Sequence, residues 1–157
     1  SEGRNTSEVD LISKIPKNKF QIPITNAIQM SEKVYDLEYR TFLFAKNVRI
    51  FLKQMPKTIQ TIEDGKQVMR SSGSVGANYI EANESLSQKD FCYRIKICRK
   101  EAKESVYWLN LLHDCNADYQ NELKSLIQEA TELKKIFSSI LEKSIQNQTI
   151  HNPRIQD

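Results

Sequence analysis

Arg70-Ser-Ser-Gly-Ser-Val-Gly-Ala-Asn-Tyr-Ile-Glu-Ala-Asn-Glu-Ser-Leu-Ser-Gln-Lys-Asp-Phe91 is the stretch on which the fold turns. Its first half is crowded with tiny residues at Ser71, Ser72, Gly73, Ser74, Gly76 and Ala77. Glycine inside a helix costs roughly 1 kcal/mol against alanine, so a run like this needs a packing reason. A second helix passing very close supplies one. Polar residues from Asn83 to Ser87 then break the pattern, and a new amphipathic segment opens. The stretch predicts a tight crossing inside a helical bundle, not a reaction site.

Working outward, the same logic holds along the chain. Four Gly and four Pro in 157 residues, with Pro16 and Pro23 near the start, leave residues 31–146 almost free of helix breakers. The first helix is expected from Ser31, as N-cap, to Gln54. Its Leu37, Thr41, Phe44, Val48, Phe51 and Met55 follow 4-3-4-3-4 spacing, and Pro56 ends it. The second is expected from Thr58 to Asn83. Val68, Ser72, Val75, Tyr79 and Ala82 lie on one face, and Ile62, Met69, Gly73, Gly76 and Ile80 on the face beside it, so neighbours are expected on two sides. Gly65 is a candidate weak point or break.

The third helix is expected from Ser87, again an N-cap, to His113, with Phe91, Ile95, Cys98, Ala102, Ser105, Leu109 and Leu112 as an unbroken seam. The fourth is expected from Asp118 to Ile145, capped by Asp118, with Tyr119, Leu123, Leu126, Ala130, Leu133, Phe137, Ile140 and Ser144 as its seam. Shared heptads in four successive helices are the mark of an all-α, antiparallel four-helix bundle. Residues 1–30, where lysines alternate with apolar residues around two prolines, read as an extended or partly disordered arm. Residues 31–146 form the bundle, and 147–157 a polar tail.

The third helix carries two further stripes. Tyr93, Ile97, Trp108 and Leu111, with Glu101 and Glu104 among them, form a second apolar band. One seam suffices for a monomeric bundle, so this band is a candidate oligomer interface with a second copy as partner. The other stripe is basic. Lys89, Arg94, Lys96, Arg99, Lys100 and Lys103, with Arg70 nearby, are candidate phosphate ligands. The net charge is only +3, but a cyclic oligomer would repeat the stripe into an extended cationic surface.

Catalytic patterns are missing. The two histidines, His113 and His151, form no Glu-x-x-His pair, and zinc-protease, P-loop and dinucleotide motifs do not occur. The expectation is a non-enzyme with no metal and no cofactor. Glu81 with Glu84, and Glu101 with Glu104, read as intrahelical or intersubunit ion-pair partners of Arg99, Lys100 and Lys103. Cys92, Cys98 and Cys115, odd in number and without a Cys-x-x-Cys, read as reduced thiols of a cytoplasmic protein. No run approaches the roughly 18 apolar residues of a membrane span, and no secretory signal pattern is expected.

Ser74 to Glu84, together with Ser87-Gln-Lys-Asp-Phe91 and Ile97-Cys-Arg-Lys-Glu-Ala-Lys-Glu-Ser105, resembles the 23S ribosomal RNA intervening-sequence protein family of four-helix bundles. The likeness spans about residues 35–145. In many members the segment matching Asn78 onward reads Asn-Ile-Ala-Glu-Gly, of which this chain keeps the Asn and a nearby Glu. The resemblance implies an up-down bundle assembled as a ring, typically a homopentamer, in the bacterial cytoplasm. It also implies kinship with bundles that serve as nucleic-acid-binding accessory factors beside reverse transcriptases. It carries no catalytic residues. The functional expectation is a homo-oligomer that binds RNA or DNA through basic helix faces. The alternative is a protein–protein scaffold ring, with a polymerase or a ribosome-associated factor as partner and no nucleic-acid role.

Overall fold

The computed structural model describes residues 27–151, with side chains from 37 to 147. Four long helices follow one another: α1, Ala27–Leu52; α2, Ile59–Asn83; α3, Gln88–Cys115; and α4, Gln120–His151. A 3-10 turn at Ala117–Tyr119 joins the last two, and no strand occurs among the described residues. Short connections force sequential helices to run antiparallel, and α4 closes the ring against α1. The α2–α3 and α3–α4 interfaces are broad, α1–α2 is narrower, and α1–α4 is the narrowest among the described residues. The core holds the expected seams, with Phe44, Val48, Val75, Ile95, Leu109 and Phe137 all essentially sealed from solvent.

Local chemistry sets the helix ends. Thr58 caps α2 in a reciprocal box with Thr61: the Thr58 hydroxyl accepts from the Thr61 amide at 3.2 Å, and the Thr61 hydroxyl accepts from the Thr58 amide at 3.0 Å. Ser87 caps α3, accepting from the Asp90 amide at 3.1 Å. At the other end of α3, the Asn116 side-chain amide donates to the Leu112 carbonyl at 2.7 Å and turns the chain.

Several boundaries, and one expected break, differ from expectation. Helix α1 begins at Ala27, so Ser31 lies inside it rather than capping it; nothing after Pro23 breaks the helix. Helix α4 begins at Gln120, because Asp118 belongs to the 3-10 turn. It runs on to His151, into the segment expected as tail. Helix α2 runs unbroken through Gly65, which is buried; a Cβ there would sit 3.2 Å from Leu52 Cδ2. The glycine thus seats α1 rather than weakening α2. The expected arm up to residue 26, and residues 152–157 of the expected tail, lie outside the described residues.

The tiny residues of α2 serve two crossings. Toward α1, a Cβ on Gly76 would lie 3.3 Å from Thr41 Oγ1. Toward α3, Ser71 and Ser105 are fully buried and share a 2.8 Å hydroxyl hydrogen bond, while the Cys98 thiol donates to the Val75 carbonyl at 3.5 Å. Burial pushes the Cys98 thiol up to about 12 and the Tyr79 phenol likewise to about 12. Both therefore stay protonated at neutral pH. Cys92 is half-buried, Cys115 exposed, and all three thiols are free.

Candidate functional site

Helix α3 lies between α2 and α4, which leaves one side of it facing outward. The seven expected cations separate into two groups. Lys89, Lys96, Arg99, Lys100 and Lys103 are exposed and form no ion pair among the described residues. Arg70 and Arg94 are instead tied across the α2–α3 seam. The Arg70 guanidinium donates to Glu104 and stands 4.0 Å from Glu101; Arg94 pairs with Glu81, stands 4.0 Å from Asp90 and lies 3.5 Å from the Asn78 amide oxygen.

These pairs shape the field of the outer face. The two carboxylates of mid-α3, Glu101 and Glu104, are turned toward α2 and partly neutralised by Arg70. Between Phe91 and His113 every exposed charged residue of α3 is a cation. A surface carrying one sign of charge attracts polyanions through long-range steering and counterion release.

The expected oligomer stripe is more deeply used within the subunit than its spacing suggested. Glu101 is only 7% exposed, and one of its carboxylate oxygens, Oε2, has no hydrogen-bond partner. Glu104 is half-buried and accepts from the Trp108 indole at 3.4 Å. Ile97, Trp108 and Leu111 are half-buried along the α2–α3 border, and Tyr93 is exposed.

A larger uncovered apolar surface lies between α1 and α2. One groove, about 480 Å³, is walled by Tyr39, Phe42 and Ile80 and floored by Gly73, Gly76 and Ala77. A second, about 550 Å³, continues toward the turn and includes Leu52, Met55, Ile62 and Met69, with Arg49, Lys53 and Lys66 around it. The second face of α2 was legible in the sequence, but α1 covers only part of it. Tyr39 and Phe42 give no signal in the heptad pattern, because they fall off the α1 seam.

Opposite that groove, Arg40 clamps α1 to α4. It donates to both oxygens of Glu129, at 2.6 and 2.9 Å, and to Glu132 at 2.7 Å. The pair holds the Arg40 pKa well above its usual range. Hydrogen bonds from Gln128 and Arg40 hold the Glu132 carboxyl below its usual range.

Among the described residues, no group of three or more His, Cys, Asp or Glu could hold a metal ion, and no helix is long and apolar enough to cross a membrane.

Comparison with known proteins places the fold. A comparison with curated proteins returns no match. Among solved structures, the chain is similar to a protein of unknown function from the S23 ribosomal protein family of Bacteroides thetaiotaomicron. The two are 29% identical, with a TM-score of 0.58, over 67% of this chain and 97% of that one. The sequence model of the 23S rRNA-intervening sequence proteins matches residues 26–139, which covers α1 through the mid-length of α4. The chain belongs to the 23S rRNA-intervening sequence protein family.

Proposed function

We propose that this protein is a non-enzymatic, bacterial cytoplasmic homo-oligomer, a pentameric ring, that binds nucleic acid through the outer face of α3. The observation that carries this reading is the segregation of charge on α3: five exposed cations outside, the two mid-helix acids turned inward, and the exposed Asp90 and Asp114 only at the helix ends. The family's name ties it to inserts in ribosomal RNA, which makes structured RNA the first ligand to test. Repetition around a ring multiplies a modest per-chain charge into a multivalent surface. Such a ring suits an accessory role beside RNA or reverse-transcriptase machinery.

Two apolar surfaces support self-association, the α1–α2 groove and the border stripe of Ile97, Trp108 and Leu111. They differ in shape, and a head-to-tail contact between unlike surfaces is what closes a ring.

The test is titration of nuclease-treated protein against structured RNA and duplex DNA across a salt series. Binding that falls steeply with salt, and is lost on reversing Lys96, Arg99 and Lys103 to Glu with helicity intact, supports the reading. Unchanged affinity in that variant rejects it. The α1–α2 groove also favours a second reading, a scaffold whose partner is another protein; capture that survives nuclease digestion is its test.

A further inference from the structure

The outward side of α3 carries more than charge. Tyr93, Lys96, Lys100, Lys103 and Tyr107 follow 3-4-3-4 spacing, so they form one straight ridge opposite the buried seam. All five are exposed, and the two tyrosines, at 59% and 58%, are the most exposed aromatics of α3. They lie fourteen positions apart, about 21 Å along the helix axis. A solubilising surface has no need of aromatic rings at both ends of a lysine row.

Each ring is braced by its neighbour. The Tyr107 ring meets Trp108 edge-on, with centroids 4.9 Å apart and planes at 79°. The Arg94 guanidinium lies 5.9 Å from the centre of the Tyr93 ring, and Glu81 in turn holds Arg94. Neither phenol hydroxyl has a hydrogen-bond partner among the described residues. Rings held in place while still exposed lose little conformational freedom on meeting a flat ligand.

We propose that this ridge is a binding site for a single-stranded polynucleotide, whose unpaired bases stack on Tyr93 and Tyr107 while its phosphates lie along Lys96, Lys100 and Lys103. The inference rests on the nucleic-acid reading above and narrows it. In a duplex the base faces are already stacked on one another, so the tyrosines would contribute nothing; in a single strand they are available. Cation rows interleaved with aromatic platforms are the physical requirement for sequence-tolerant single-strand binding. Arg99, also exposed on the side of the row, adds a further phosphate contact.

The experiment uses the full chain and three labelled probes of equal length: a 15-nucleotide single strand, its duplex, and a strand whose bases are replaced by abasic sites. The single strand is expected to bind at least tenfold tighter than either of the others. Each stacked base is worth between about fivefold and a hundredfold. Tyr93→Ala with Tyr107→Ala should therefore lose at least tenfold on the single strand, keep the affinity for the duplex, and leave the salt slope unchanged. The double Phe variant should bind as wild type does. Equal binding of normal and abasic strands to the wild-type protein overturns the stacking site, with no variant needed. If charge reversal at Lys96, Arg99 and Lys103 abolishes binding while the Ala pair changes nothing, the phosphate surface stands and the stacking site falls. No binding to any probe at low salt overturns both.

Discussion

The outer ridge of α3 and the groove between α1 and α2 are both uncovered, and they are opposites. The ridge is convex, cationic and aromatic. The groove is concave, apolar and floored by glycine and alanine. A solvated, charged partner fits the first, and a dry one fits the second. The two therefore do not compete, and the proposed assembly through one surface would leave the other open to a polyanion.

The sharpest way to break that comparison is to damage one surface and watch the other. Reversing Lys96, Arg99 and Lys103 to Glu is expected to weaken nucleic-acid binding at least a hundredfold, since each lost phosphate contact also loses its counterion release. Light scattering should report the same assembly as before; a changed subunit count would mean that the ridge is an interface. The converse pair, Ala77→Lys and Ile80→Asp, is expected to dissociate the oligomer. Each protomer should stay as helical, by circular dichroism, as the wild type. An intact oligomer would assign assembly elsewhere, with the α2–α3 border at Trp108 the next surface to mutate.

Smaller effects test the groove floor and its far wall. Gly76→Val pushes a branched side chain toward Thr41, 3.3 Å from the new Cβ, and should destabilise the fold by about 1–3 kcal/mol in chemical denaturation. Stability equal to wild type would show that α1 shifts freely on α2. The smallest effect is electrostatic. The Glu132 carboxyl is held below its unfolded value of 4.5, so its contribution is fully present above that pH and is lost as the pH falls through the folded pKa. Glu132 is partly exposed, so only a few degrees of melting temperature should depend on it. Glu132→Gln should flatten the acid limb by that share, and an unaltered limb would remove Glu132 from the clamp.

How far the sequence disclosed this depends on whether the cause was local. The core seams of all four helices and the Ser87 cap were legible, because they depend on residues three or four apart. The fates of Arg70 and Arg94 were not. Glu104 lies 34 residues from Arg70, and Glu81 reaches Arg94 from another helix, so only the packed α2–α3 pair shows that these cations are already engaged. Gly65 misled for the same reason: its value lies in Leu52 on a neighbouring helix. The ridge was open to detection, since Tyr93 and Tyr107 share the register of the lysine row. What the sequence lacked was the statement that both rings stay uncovered, which belongs to tertiary structure.

The Arg40 clamp bears on the order in which the molecule forms. The broad interfaces join consecutive helices, and short loops close cheaply. The clamp instead joins residues 89 and 92 positions apart, and it sits on the narrowest interface among the described residues. Contacts so distant along the chain are late events in folding. Helices α2, α3 and α4 are thus expected to condense first, with α1 arriving last as the closing stave. In native-state hydrogen exchange, α1 should be the first element to open.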